Sequence, residues 1–301
     1  MATTQGITDG IDSEVSQMSQ PKPIEESLQA LVHKAFASGG EGGQVVKNFL
    51  NGTWIGEPLH VILTDIPIGA WTVALVCDGL DIVSKDRGFA LAADASIGIG
   101  LVGAAGAAIT GVTDWQDVDP PARRLGMIHG LLNVTATALF ASSLILRKRK
   151  SRICGRVLAG LGYGVMTYAA HLGGKMVYDY RVGVDQTSGE VLPEDFVAVM
   201  PETGLAEATP TRAEHNGVPI LLVRRGSEIF ALAETCSHLS GPLSEGELIG
   251  NSIVCPWHKS RFALEDGRVL DGPAVHPQPC LQARVQNGQI EVRKPRSEEN
   301  V

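Results

Sequence analysis

The 301-residue chain has little cysteine, few aromatics and no surplus of basic charge, and each shortage excludes a class of protein. Its five cysteines are scattered. Two of them fall in a motif described below; the odd remainder, Cys77, Cys154 and Cys280, forms no disulfide framework and reads as small buried apolar residues. Lys and Arg number 25 against 33 Asp and Glu, and from residue 183 onward 17 acidic residues face 10 basic ones. That balance is a poor match to nucleic acid and suits a basic or neutral protein partner. The N-terminus lacks a basic stretch followed by an apolar core, so no cleavable signal peptide is expected. Residues 1–20 are rich in Gln, Ser, Thr and Asp and almost free of large apolar side chains, and a disordered tail is expected over 1–22.

The middle of the chain lacks charge over long stretches. Four apolar segments, 60–83, 89–113, 126–146 and 157–178, each approach the ~20 residues that cross a bilayer as a helix. They are rich in Gly and Ala, which lets membrane helices pack closely, and a four-helix transmembrane bundle over 59–181 follows. Asp65, Asp78 and Asp94 inside the segments favour the alternative, a soluble bundle. Met127–Leu146, however, shows no polar stripe at helical period, so membrane crossing is the better reading. Lys85, Arg87 and the cluster Arg147, Lys148, Arg149, Lys150, Arg152 and Arg156 predict that the first and third connections face the cytoplasm, with both termini outside. Ahead of the first span, within 23–58, Leu28, Leu31, Val32, Ala35 and Phe36 recur at helical spacing. They predict a short amphipathic helix lying on the membrane or on the bundle.

His60, His129 and His171 fall in the outer half of these segments. Three readings stay open: interhelical hydrogen-bonded residues, ligands of haem b or another metal, or quinone contacts. Asp65 and Lys175 are candidates for the same polar cluster.

After a linker at 182–195, the sequence turns to short alternating runs such as Ile220–Val223 and Ile229–Leu232. Turn signals punctuate them at Asn216-Gly217, Gly250-Asn251, Asp266-Gly267 and Asn287-Gly288, so an all-β domain is expected over 196–296, with a tail at 297–301. Inside it stand Cys236-Ser237-His238 and, sixteen residues on, Cys255-Pro256-Trp257-His258. Two thiolates and two imidazoles in this order suit a 2Fe–2S centre in which two His replace two Cys on one iron. A Cys2His2 zinc site uses the same ligand types. The surroundings favour iron: both pairs open Gly- and Pro-containing loops, and Asp271-Gly272-Pro273-Ala274 offers a third.

On these residues the region 196–295 resembles a Rieske domain. The resemblance implies Cys236 and Cys255 on one iron and His238 and His258 on the other, with Ser260, Trp257 and Pro273 around the cluster. Gly241 and Trp257 stand where respiratory bc-complex Rieske proteins carry a disulfide. Ser260 matches a serine that donates a hydrogen bond to a bridging sulfur, and Phe262 replaces a donating tyrosine. Fewer donors imply a potential below that of the bc type, nearer the ferredoxin type. The middle region is similar to an uncharacterised family of four-span membrane domains that occurs fused to Rieske domains. The likeness rests on Gly52-Thr53-Trp54-Ile55-Gly56-Glu57-Pro58-Leu59-His60, Pro67-Ile68-Gly69-Ala70-Trp71 and His171–Tyr178. That family often has a histidine at the position of Glu57.

The expected function is a membrane-anchored carrier of single electrons between protein redox partners. A quinol-oxidising subunit and a redox-sensing docking module are the alternatives. A self-contained Rieske oxygenase is not expected, because His33, His215 and His276 form no two-His-one-carboxylate iron site and only five residues follow Arg296.

Overall fold

The computed structural model describes residues 24–296; the tails expected at 1–22 and 297–301 lie outside the described residues. The described chain divides into two compact units, one of residues 24–43 and 59–180, the other of 44–58 and 181–296.

The first unit is helical. Helix α1 (Ile24–Ser38) is followed by α2 (Gly40–Asn51), whose body belongs to the second unit. Then come α3 (Leu59–Ser84), α4 (Arg87–Trp115), α5 (Ala122–Lys148) and α6 (Arg152–Tyr178). Among the described residues three helices, α3, α4 and α5, are long and apolar enough to cross a membrane. Helix α6 matches them in length, but Gly160, Gly162, Gly164, Thr167 and His171 dilute its apolar character.

Burial in this unit is inside-out relative to a water-soluble bundle. Large apolar side chains face outward, among them Val61, Val73, Val76, Leu91, Ile99, Val102, Leu131 and Val134. The interior holds Ala74, Ala93, Ala136 and Ala159 together with Asp78, Thr110, Ser143 and Arg147. Lipid gives apolar side chains no reason to hide, so small residues and paired polar groups fill the interfaces instead. Asp78 and Asp94, which argue for a soluble bundle in the sequence, are paired here. Arg147 donates to Asp78 and Asp94, Arg152 to Asp94, and Arg156 to Asp78 and Asp81. Six charges on four helices, three Arg and three Asp, thus neutralise one another at the end where the α3–α4 and α5–α6 connections lie.

The two hairpins α3–α4 and α5–α6 repeat one design. His60 and His129, Trp71 and Phe140, and Asp78 and Arg147 are each 69 residues apart, and each pair meets. The histidine rings lie edge to face at 6.3 Å and the aromatic rings stack at 4.1 Å. Gly100 on α4 and Gly162 on α6 receive the Trp71 and Phe140 rings in matching fashion.

Helix α1 turns out differently from its sequence pattern. Ile24, Leu28 and Leu31 are exposed, while Glu25 and Gln29 are buried. Gln29 Nε2 donates to the carbonyls of Trp115 and Val118, and Arg123 and Arg124 pair with Glu26 and Glu25. The amphipathic helix exists, but its polar side meets the α4–α5 connection, where free carbonyls and arginines need partners.

The second unit holds two antiparallel sheets. Strands β1 (Val197–Pro201), β10 (Gln289–Arg293), β9 (Cys280–Gln286), β4 (Glu228–Ala233), β3 (Val218–Arg225) and β2 (Thr211–His215) form one in that order. The other runs β5 (Glu247–Ile249), β6 (Ser252–Val254), β7 (Arg261–Ala263), β8 (Val269–Asp271). Strand β3 is buried on both faces. Ile220 and Leu222 join a core with Leu281, Ile290 and Val292; Leu221 and Val223 join one with Ile253, Phe262, Cys236 and Cys255. The period-2 alternation of a strand lets one apolar run feed both. Asn216-Gly217 and Asn287-Gly288 both have positive φ, as two-residue hairpin turns require.

Residues 182–195, read from the sequence as a linker, are fastened to this unit. Gln186 N–H donates to Ser237 O, Lys294 N–H to Pro193 O, and Leu192 packs on the core. The segment's Asp, Ser, Thr and Gly content signals turns, and these turns are docked rather than free.

Candidate metal centre

The loops after β4 and β6 carry the Cys and His pairs, and they are built alike. In the first, Cys236 N–H donates to Gly241 O and Ser240 N–H to Cys236 O; in the second, Cys255 N–H donates to Ser260 O and Lys259 N–H to Cys255 O. Ser240 and Lys259 both take φ of 65°, the left-handed region that closes each loop. This winding turns successive N–H groups toward the sulfurs: those of His238 and Leu239 toward Cys236 Sγ, those of Trp257 and His258 toward Cys255 Sγ. Such nests of N–H groups stabilise negative charge on sulfur.

Both cysteines are buried and free of disulfides. The Cys236 thiol hydrogen-bonds Cys255, which holds Cys236 well above the usual thiol range and brings Cys255 down to about 7. One thiolate is therefore accessible near neutrality, the state in which sulfur binds metal. The His238 and His258 rings meet edge to face at 5.1 Å. Burial, then the neighbouring His258, then Lys47 push His238 down to about 3, so it stays neutral, as a metal-binding imidazole must. His238 Nδ1 is buried with no hydrogen-bond partner among the described residues. A buried lone pair left unsatisfied needs an explanation, and a metal ion supplies one.

Among the described residues no three His, Cys, Asp or Glu side chains gather as ligands of one metal ion. The four donors meet instead as a Cys pair and a His pair. A two-iron cluster with sulfur on one iron and imidazole on the other needs that division, whereas a single tetrahedral zinc needs all four at one point. The residues fit the two-iron group.

Around the donors, Ser260 is fully buried, and its Oγ accepts from Ala274 N–H at 2.9 Å, leaving its own hydroxyl proton free to donate. Phe262 is buried in the core beside both cysteines. Pro273 is buried, and Trp257, 53% exposed, stands edge-on to His258. A Cβ on Gly241 would lie 2.7 Å from Cys255 Sγ and 3.2 Å from Trp257, so this loop approaches its neighbour as only glycine allows.

Several residues that hold the site have no obvious sequence signal. Gln278 donates to Ala233 O and accepts from Ser237 N–H, and Ser237 Oγ donates to His276 O. Asn48, far upstream, bonds both Asp271 and Gly272. Its one trace is the polar stripe Gln44, Lys47, Asn48 and Asn51 at helical spacing.

In the helical unit the structure brings His60 and His129 together. His60 Nδ1 meets Ala107 O and His129 Nδ1 meets Ala169 O, both at 2.8 Å, and Asn133 Nδ2 reaches His129 Nε2 at 3.1 Å. His171 stacks on Tyr168 of its own helix, and Asp65 is exposed on α3.

Comparison with known proteins matches both units. The family described as Rieske 2Fe-2S domain covers residues 195–285, and the family described as Predicted membrane protein (DUF2231) covers 56–186. Ferredoxin CarAc of Metapseudomonas resinovorans is 32% identical over 26% of this chain and 72% of its own length. The ferredoxin component of biphenyl 2,3-dioxygenase from Rhodococcus jostii is 37% identical over 24% of this chain and 68% of its own. Among solved structures, the ferredoxin of carbazole 1,9a-dioxygenase from Nocardioides aromaticivorans is 27% identical, with a TM-score of 0.32, over 34% of this chain and 100% of its own.

Proposed function

Because the chain belongs to the Rieske 2Fe–2S proteins through its C-terminal domain, and carries a DUF2231 membrane domain before it, we propose that it is a membrane-anchored, ferredoxin-like carrier of single electrons. Cys236 and Cys255 would hold one iron, and His238 and His258 the other. When bound, a 2Fe–2S cluster supplies reversible one-electron chemistry. The protein's part is to bury both thiolates, surround them with N–H donors and keep the His238 imidazole neutral. Phe262 adds no donor, which favours a potential toward the lower, ferredoxin side. Half-exposed Trp257, beside His258, marks the face where a protein partner would approach. By analogy with the ferredoxin components of dioxygenases, that partner is an oxygenase.

The observation that carries the reading is the pair of loops with matching hydrogen bonds that present two thiols and two imidazoles as a Cys pair and a His pair. The repeat of α3–α4 in α5–α6 supports α6 as a fourth span, since it occupies the place that α4 holds in its own hairpin. The Lys and Arg surplus of the α3–α4 and α5–α6 connections supports a cytoplasmic location for that end. We read His60 and His129 as interhelical ties, since each ring already bonds a backbone carbonyl of its neighbouring helix.

The test is expression of the full chain beside Cys236→Ser and His258→Ala. Wild type should stay in the membrane after an alkaline wash and show an iron–sulfur absorption band bleached by one-electron reduction, a band absent from both variants. A band retained in both variants would refute the ligand assignment.

A further inference from the structure

Helix α2 buries its polar side and exposes its apolar one. Val45, Val46 and Phe49 face outward, while Lys47 and Asn51 are only 8% and 1% exposed. A helix folds this way when what it packs against is itself polar, and here the partner is the loop Asp271–Ala274.

Asn48 makes the junction. Its Oδ1 accepts from Gly272 N–H at 3.0 Å and from Gln44 Nε2 at 2.9 Å, and its Nδ2 donates to Asp271 Oδ1 at 3.0 Å. One turn away, Asn51 and Thr53 close over Gly272, where a Cβ would come within 3.2 Å of Asn51 Oδ1 and of Thr53 Cγ2. The same loop bonds the cluster surround from its other side. Asp271 pairs with Arg261 Nε at 2.7 Å, and Ala274 N–H donates to Ser260 Oγ. A continuous set of polar contacts thus runs from α2 through residues 271–274 to Ser260, which adjoins the Cys255 loop. Lys47, the residue before Asn48, is buried on this same face.

We propose that residues 44–54, encoded ahead of the first membrane helix, form a wall of the cluster site, in which Asn48 positions the loop Asp271–Ala274 and Lys47 supplies a buried cation that favours the reduced cluster. The inference rests on the cluster assignment above. It extends that assignment by making the β domain incomplete without a segment lying more than two hundred positions upstream. The electrostatic part follows from sign alone. Reduction adds one negative charge, and a cation shielded from water by protein stabilises that charge more than one in bulk solvent.

The experiment uses the full-length, cluster-loaded protein in detergent. Midpoint potentials are measured by EPR-monitored titration for wild type, Lys47→Met and Lys47→Arg, and hydrogen exchange of residues 271–274 for wild type and Asn48→Ala. The expected result is a lower midpoint for Lys47→Met, a near wild-type midpoint for Lys47→Arg, and at least tenfold faster exchange at Gly272 in Asn48→Ala. A loaded Lys47→Met protein with the wild-type midpoint overturns the cation's role. Unchanged Gly272 exchange overturns the positioning role of Asn48, and this readout does not require any variant to load its cluster. Wild-type protein devoid of iron and sulfide overturns the cluster assignment itself, an outcome distinct from both.

Discussion

Gly241 and Phe262 are where single atoms decide the behaviour of the site. A methyl group on Gly241 meets Cys255 Sγ and the Trp257 ring in a loop already closed by its own hydrogen bonds. Overpacking of this kind costs about 1–3 kcal/mol, and here the strain falls on an iron ligand. Gly241→Ala should therefore lower iron and sulfide content per chain while the far-UV spectrum stays native; full loading would show that the loop gives way. Phe262 is completely buried in one core with both cysteines, so Phe262→Tyr adds a hydroxyl donor there. Its midpoint should rise relative to wild type, and an unchanged midpoint in the loaded variant would remove Phe262 from the argument for the proposed ferredoxin-like potential. At this scale much was readable in advance. Cys236, His238, Cys255 and His258 lie close together in the chain, and the spacing of such a local motif is itself the signal. Asn48 was not readable, because its partners lie 223 and 224 positions away and an Asn on a helix has many ordinary uses.

Among the elements, the helices show how a bilayer reverses familiar rules. The apolar segments and the helix around Leu28–Phe36 were evident from periodicity and composition. Which face turns inward was not, since that depends on whether water or lipid lies outside. The ion pairs of Asp78, Asp94, Arg147, Arg152 and Arg156 illustrate the point: in sequence they look like lone charges, and in the fold they are partners. Arg147 has no exposed side-chain surface and Asp78 little, so removing one leaves the other a buried charge that has lost a partner, with only Asp94 left to Arg147 or Arg152 and Arg156 left to Asp78. Asp78→Leu alone should destabilise the helical unit by about 3–5 kcal/mol, and Asp78→Leu with Arg147→Leu should recover much of that loss. Thermal unfolding in detergent checks it; equal losses in the single and double variants would contradict the pairing. The repeat also makes a comparative prediction. The Cβ of Gly100→Ala runs into the Trp71 indole, whereas that of Gly162→Ala sits 3.1 Å from Phe140. The first should lower the melting temperature more than the second. The repeat went unseen in the sequence because histidine, an aromatic and a charged residue at matching places are too few identities to notice before their pairing is known.

For the whole molecule, the account joins a lipid-adapted helical unit to a β domain of dioxygenase-ferredoxin type, the latter completed by residues 44–58 and closed by 181–195. Sequence pattern separates helices from strands because their periods differ. It does not reveal that a stretch ahead of the membrane helices belongs with the strands, since that association is made of a few side-chain hydrogen bonds. The measurement that tests the central claim most directly is metal and sulfide analysis of the anaerobically purified full chain, combined with a redox titration. The account predicts two irons and two labile sulfides per chain and one-electron reduction in the lower part of the ~ −150 to +300 mV span of Rieske centres. Stoichiometric zinc without iron or sulfide would contradict the electron-carrier function, and a midpoint near the top of that span would contradict its ferredoxin-like character.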